Sequence, residues 1–182
     1  MLIRAYAQFW NPDTVEWGSK GAGNKGQLLG TVKRNTRTYR INFWDAKGIY
    51  VLHAEFRAIY VGKADNVALG PRLRSHLGDR FAGRWDMFSW FATSTVAVTE
   101  KRVRVPGKRS VEPGTVINTL EALAILIADP ALNRKRETIP KALQAEQVKS
   151  PRPKTVRRYL EDILKQLSEK PGAQHGARAD RR

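Results

Sequence analysis

The sequence has no cysteine, and this absence excludes two kinds of site at once. A disulfide framework and a thiolate metal centre are both impossible, so any metal must be held by carboxylate, imidazole or water. The chain also lacks the apolar run of roughly 7 to 15 residues that marks a signal peptide and the run of about 20 that spans a membrane. We therefore predict a cytoplasmic protein with no membrane contact.

Acidic residues are scarce in comparison with basic ones. The 182 residues include 33 Lys and Arg but only 17 Asp and Glu, which gives a net charge of +16. Such a surface attracts polyanions by releasing their condensed counterions, so nucleic acid is the predicted partner. The length suits one ordinary domain with extensions. Composition alone leaves open a basic but catalytically silent nucleic-acid-binding protein.

Local patterns predict the order of the elements. Residues 2–9 resemble a strand, and residues 32–44 resemble a β ribbon with a basic face. The β-rich runs at 48–52 and 58–62 are close enough to pair as an antiparallel hairpin. The patterns that follow predict a helix over 69–78, a strand over 87–98, a basic hairpin or loop over 101–114, a buried helix over 116–128 and an amphipathic helix over 153–169.

Five short motifs carry the candidate chemistry. In chain order they are Gly48-Ile49-Tyr50, Tyr60-Val61-Gly62-Lys63, the pair Arg72 and His76 four residues apart, Glu121 and Asn133. Together they resemble the GIY-YIG nuclease family over residues 47–134, with Tyr-Val-Gly in place of the second tripeptide. The family's tripeptides lie about ten residues apart on neighbouring strands, as Tyr50 and Tyr60 do here.

The resemblance implies a fold and a division of the chain. The expected fold is a small α/β (α+β) domain with a mainly antiparallel three-stranded sheet flanked by helices, an N-terminal β extension and a C-terminal helix. The predicted parts are a basic β-rich extension (1–46), a nuclease core (47–150), a C-terminal helix (151–170) and a disordered basic tail (171–182).

The same residues suit phosphodiester hydrolysis without reference to the family. Arg72 can present a planar fork of donors to the phosphate oxygens, with a surface ion pair as the alternative. A carboxylate such as Glu121 on an apolar helix needs a partner, and Mg²⁺ (or Mn²⁺) requires only one or two protein carboxylates. Glu121 is therefore the predicted metal ligand, with capping or an arginine pair as its alternative.

The resemblance assigns the attacking water to Tyr50. Because a free phenol has a pKa near 10 and is a poor base, we hypothesise that Lys63, Arg72 and the metal favour the phenolate of Tyr50. His76 is the rival base or a proton relay, with a helix-surface histidine as the alternative. Asn133 would orient Glu121 or a phosphate, or would be an ordinary loop residue.

The predicted activity is metal-dependent endonucleolytic cleavage of DNA, in a restriction-like or defence-associated role. A silent nucleic-acid-binding protein and an RNA-directed nuclease are the alternatives. One catalytic centre per chain would cut both strands by homodimerisation or by sequential nicks. The basic residues predicted to contact nucleic acid are Lys33, Arg34, Arg37, Arg40, Arg74, Arg80 and Arg84.

Overall fold

A computed structural model of the protein describes residues 2–19, 25–105, 107, 111–128 and 138–149. The strands are β1 (Ala5–Trp10), β2 (Glu16–Gly18), β3 (Lys25–Gln27), β4 (Leu29–Arg34), β5 (Arg37–Asn42), β6 (Gly48–Ala54), β7 (Arg57–Ala64), β8 (Met87–Ala92), β9 (Thr95–Ala97), β10 (Arg102–Arg104) and β11 (Leu143–Gln147). The helices are α1 (Leu69–Ser75), α2 (Pro113–Ala128) and a short 3-10 turn at Pro12–Thr14. None of the helices in these ranges is long and apolar enough to cross a membrane.

The predicted fold class is wrong, because the described strands form one large mixed sheet. Nine strands are hydrogen-bonded in the order β7-β6-β8-β1-β11-β4-β5-β10-β9, and β2 and β3 form a separate pair. The N-terminal strand β1 is not part of an extension, since it runs antiparallel to β8 on one side and parallel to β11 on the other. The pairing of Ala5 with Leu143 joins chain regions too distant for any local pattern to indicate.

Several individual elements are confirmed. The runs at 48–52 and 58–62 form the antiparallel hairpin β6–β7, and the basic ribbon is the hairpin β4–β5. The predicted helix at 69–78 is α1, and the strand predicted over 87–98 is divided into β8 and β9. The helix predicted over 153–169 and the tail at 171–182 lie outside the described residues.

The two faces of the sheet pack against different helices, because successive side chains of a strand point to opposite sides. Tyr50 and Leu52 join a large core cluster that includes Leu69 and Leu73 of α1. All five tryptophans of the sequence pack in this cluster as well: Trp10, Trp17, Trp44, Trp85 and Trp90. We call the side of the sheet that faces this cluster the α1 face.

Helix α2 covers the opposite side of the sheet, which we call the α2 face. Its buried Ala122, Leu123 and Leu126 pack against Val51 and Phe91 in the second core cluster. The apolar sequence predicted a helix buried on all sides, and this is wrong, since Ile117 and Leu120 are 65% and 57% exposed. Only one stripe of α2 meets the sheet, so its remaining side chains face solvent.

Trp10 provides a test of the central position of β1. Its ring contacts Phe43, Phe88 and Trp90 edge to face, and the residue is 3% exposed. We expect Trp10→Ala to lower the free energy of unfolding by about 3–5 kcal/mol, as the loss of a buried aromatic side chain does. Denaturant unfolding measures this. Phe56→Ala is the matched control, because the exposed Phe56 ring should contribute within about 0.5 kcal/mol. Equal, small effects of the two substitutions would contradict the position of β1 within the sheet.

Candidate active site

The two phenols of the site are supplied by the β6–β7 hairpin. Tyr50 lies directly opposite Gly62 in the strand register. A Cβ atom at Gly62 would overlap the Cζ and Oη atoms of Tyr50, so the glycine leaves the space that the phenol fills. At Gly48 a Cβ atom would likewise overlap the carbonyl oxygen of Phe91 on β8. Gly62 therefore has a steric role in placing Tyr50, and Gly48 allows β6 to lie close to β8.

Helix α1 supplies the guanidinium of Arg72, and its C-cap residue His76 supplies the imidazole. Its first backbone N–H groups are satisfied by the preceding loop, since Leu69 N donates to Ala46 O at 2.9 Å and Gly70 N donates to Trp44 O at 2.9 Å. Leu69 and Leu73 are buried in the core cluster of the α1 face. This anchoring brings Arg72 and His76 to the hairpin.

The four predicted residues Tyr50, Tyr60, Arg72 and His76 lie together. The Tyr50 hydroxyl is 2.6 Å from His76 Nε2. The Tyr60 ring centroid is 6.1 Å from that of Tyr50 and 5.4 Å from that of His76. The Arg72 guanidinium lies close enough to both phenols to interact with them electrostatically, and this interaction, mainly with Tyr50, raises the pKa of Arg72. We call these four residues the phenol cluster.

A fifth group, Asp79, was not predicted from the sequence. Its Oδ2 atom lies 2.6 Å from His76 Nδ1, and its Oδ1 atom accepts the backbone N–H of Phe81 at 2.8 Å. Although burial by itself raises the pKa of Asp79, these hydrogen bonds and the charges of His76 and Arg80 outweigh it and lower that pKa. The sequence signal for this contact was the spacing His76-Leu77-Gly78-Asp79 at the end of the helix. A turn over these residues can place the Asp79 carboxylate next to the His76 imidazole.

The hypothesis that Tyr50 exists as a phenolate is not supported by its surroundings. Burial raises the pKa of Tyr50 to about 12, the charge of Tyr60 also raises it, and Arg72 lowers it. Lys63 does not offset this, because alternation along β7 directs its exposed side chain to the α2 face, away from Tyr60 and Gly62. Tyr50 is a neutral hydroxyl near pH 7.

The members of the phenol cluster differ in their access to solvent. Tyr50 is 0% exposed and His76 is 3% exposed. Tyr60 and Arg72 are half-buried and form the outer part of the cluster. A phosphate arriving from solvent therefore meets Tyr60 and Arg72 before the other two.

The predicted metal ligand is not brought to the phenol cluster. Glu121 is an exposed residue of α2, and α2 packs on the α2 face, whereas Tyr50 belongs to the α1 face. Asn133 lies outside the described residues. Within the ranges that the structure describes, no group of three His, Asp or Glu could hold a metal ion. Asp79, the carboxylate beside the cluster, uses both of its oxygens in hydrogen bonds, one from His76 Nδ1 and one from Phe81 N.

The predicted nucleic-acid contacts fall into three places. Lys33, Arg34, Arg37 and Arg40 are exposed on the hairpin β4–β5, and no salt bridge among the described residues involves them. Arg80 and Arg84 are exposed near the phenol cluster, with the Arg80 guanidinium 4.8 Å from the Phe81 ring centroid. Arg74 has an intramolecular role, since it donates to Trp17 O and Ser19 O and lies over the Trp44 ring.

Comparison with models of protein families, with curated proteins and with solved structures found no match. The resemblance to GIY-YIG nucleases therefore stays a prediction that rests on the motifs alone. The chemistry open to the chain follows from the geometry of the phenol cluster.

The buried phenol of Tyr50 predicts a specific dependence of stability on alkaline pH. In the unfolded chain its pKa is near 10.0, and in the folded protein it is about 12. The unfolded state therefore loses this proton first, so the stabilising contribution is complete below pH 10.0 and is lost as the pH rises toward 12. We expect the free energy of unfolding to fall less steeply with pH over this range in Tyr50→Phe than in wild type. The difference between the two slopes should correspond to at most one proton.

Denaturant unfolding at several pH values measures this difference. Comparison of the two proteins at neutral pH gives the combined contribution of the hydroxyl's interactions with His76, Tyr60 and Arg72, because both side chains at position 50 are then uncharged. Parallel pH dependences of wild type and Tyr50→Phe would contradict the burial of this hydroxyl.

Proposed function

We propose that the chain hydrolyses phosphodiester bonds in DNA at the phenol cluster. The observation that carries this proposal is the convergence of Tyr50, Tyr60, Arg72 and His76 from two strands and a helix, with Tyr50 and His76 joined at 2.6 Å. Motif spacing alone selected these residues as a phosphodiesterase site. They come together although the sheet around them differs from the expected one.

Each outer residue of the cluster has a chemical task in this reaction. Hydrolysis needs positive charge against the phosphate and a group that orients and deprotonates the attacking water. The planar guanidinium of Arg72 offers two parallel N–H donors to the non-bridging oxygens. The Tyr60 hydroxyl lies beside it at the outer part of the cluster and can hydrogen-bond the water.

The distribution of positive charge supports a nucleic-acid substrate. The excess is +5 over residues 1–47 and +6 over residues 48–110. The exposed basic hairpin β4–β5 lies four strand spacings from β6, or about 19 Å along the sheet. A duplex that reaches from this hairpin to the phenol cluster would be held by several phosphates at once, and its affinity would depend strongly on salt.

We assign no metal ion to the phenol cluster, because Asp79, the carboxylate beside it, already accepts two hydrogen bonds. The expectation of a metal-dependent enzyme, with Glu121 as ligand, is therefore tested separately. Glu121→Ala is informative because Glu121 is exposed, so its replacement leaves the core intact.

Cleavage of supercoiled plasmid DNA tests the proposal. We expect wild-type protein to nick the plasmid and Arg72→Lys to lose about 100-fold in rate, because a lysine provides a point charge without the bidentate fork. Arg102→Ala is the matched control, since Arg102 is an exposed arginine of β10 whose partner is Glu100, and it should cleave at the wild-type rate. Circular dichroism confirms that each variant folds.

Three results would contradict the proposal. Tight, salt-sensitive DNA binding without cleavage would indicate a silent nucleic-acid-binding protein, and cleavage of RNA alone would indicate an RNA-directed nuclease. Cleavage that requires Mg²⁺, is blocked by EDTA and is lost in Glu121→Ala would indicate that Glu121 on α2 binds a catalytic metal. The phenol cluster alone would then not be the active site.

A further inference from the structure

We propose that Arg34 and Arg37, at the free end of the β4–β5 hairpin, bind the phosphate backbone of duplex DNA on the side of the sheet that carries the phenol cluster. Lys33 and Arg40 of the same hairpin face the other side and take no part in this contact. The inference rests on the proposed function for its partner. Binding of an intact duplex measures it separately from the reaction.

The end of the β4–β5 hairpin extends beyond the neighbouring strands. Among the described strands, β11 pairs with β4 only over residues 30–32, and β10 pairs with β5 only at Asn42. Residues 33–38 are all exposed. This part of the hairpin therefore presents its side chains to solvent, and no described strand beside it blocks the approach of a ligand as large as a duplex.

A two-residue turn fixes the register at the tip of the hairpin. Asn35 has a φ of 55°, a left-handed conformation that asparagine tolerates. The strands continue in register from this turn, with Arg34 directly opposite Arg37. Side chains directly opposite each other in an antiparallel pair have Cβ atoms roughly 4.5–5.5 Å apart. The turn therefore places two guanidiniums where both can reach one phosphate or two neighbouring ones.

The core determines which side of the sheet these arginines face. Val32 and Tyr39 are paired across the hairpin and pack in the core cluster of the α1 face. Arg34 lies two residues beyond Val32 on its strand, and Arg37 lies two residues before Tyr39. Because alternate side chains of a strand share a face, both arginines project to the α1 face. The residues at the intervening positions project to the α2 face.

The two arginines have no acidic partner in the part of the chain that the structure describes. None of its salt bridges involves Arg34 or Arg37. Like charges directly opposite each other in a sheet destabilise the pair. A bound anion would remove this repulsion, and a phosphate accepts hydrogen bonds from the planar donor fork of a guanidinium. The pair is therefore suited to a phosphate.

The position of Arg72 favours a duplex as the source of that phosphate. Helix α1 packs on the α1 face, so Arg72 and the arginine pair place positive charge at two separate points on one side of the sheet. A DNA duplex is stiff over such a distance, because its persistence length is about 150 base pairs. A phosphate held by Arg34 and Arg37 would therefore restrain the duplex beside the phenol cluster.

Fluorescence anisotropy with a labelled DNA duplex of mixed sequence tests this assignment. Binding is measured in an Arg72→Lys background, in which the duplex should stay intact. Two double variants of this parent are compared, Arg34→Gln with Arg37→Gln and Lys33→Gln with Arg40→Gln. Each removes two positive charges from exposed residues of one hairpin, so the two variants are matched in charge and differ in the face that they change.

We expect the Arg34 and Arg37 variant to raise Kd about 10- to 100-fold, because charge-assisted hydrogen bonds to phosphate are lost. The control variant should raise Kd by less than about threefold, because its charges point away from the DNA and are largely screened by salt. The slope of log Kd against log salt should fall by about 0.9 for each phosphate released in the first variant and should keep the parent value in the control. Circular dichroism confirms that both variants fold.

The outcomes distinguish this inference from the proposed function. Equal effects of the two variants on Kd, or an unchanged salt slope in the Arg34 and Arg37 variant, would overturn the assignment even if the wild-type protein cleaves DNA. A larger loss of affinity for an RNA duplex than for the DNA duplex in that variant would overturn DNA as the partner. Binding that depends on Arg34 and Arg37, in a protein whose wild type does not cleave DNA, would support the inference and contradict the proposed function.

Discussion

The site depends on the burial of one phenol, that of Tyr50, between strand β7 and helix α1. Gly62 gives the ring its space, and the hydroxyl meets His76 Nε2 at 2.6 Å. A buried hydroxyl has to find a partner, because an unsatisfied polar group in the core costs about 1–3 kcal/mol. The hydrogen bond from Tyr50 to His76 therefore connects the β6–β7 hairpin to the end of α1. This connection places Tyr60, Arg72 and Asp79 beside the buried phenol.

The two faces of the sheet separate Tyr50 from Glu121, which the sequence analysis placed in one site. Alternation along β6 sends Tyr50 to the α1 face and Val51 to the α2 face. Helix α2 packs on Val51, so Glu121 is on the far side of the sheet from the phenols. Among the described residues, the carboxylate that approaches the cluster is Asp79, and it contacts the imidazole of His76. The chemistry that we propose for the cluster uses Arg72 as the positive charge against the phosphate.

Local patterns were sufficient for some parts of the fold and insufficient for others. The β-rich runs around Tyr50 and Tyr60 predicted the hairpin, and the pattern over 69–78 predicted α1, because both depend on neighbouring residues. Strand β11 (Leu143–Gln147) has a polar sequence, and it is a strand because β1 and β4 pair with its two edges. That is a long-range property. The burial that raises the pKa of Tyr50 arises from the same distant packing, so no local pattern could indicate it.

The central claim is that Tyr50 and His76 act as one unit in phosphodiester hydrolysis, and a double-mutant cycle tests it most directly. The measurement is the single-turnover rate of DNA cleavage by wild type, Tyr50→Phe, His76→Gln and the double variant. Groups that act as a unit give strongly non-additive losses, so we predict that each single variant loses nearly as much rate as the double variant. Losses that multiply independently, or a wild-type rate in either single variant, would contradict the claim.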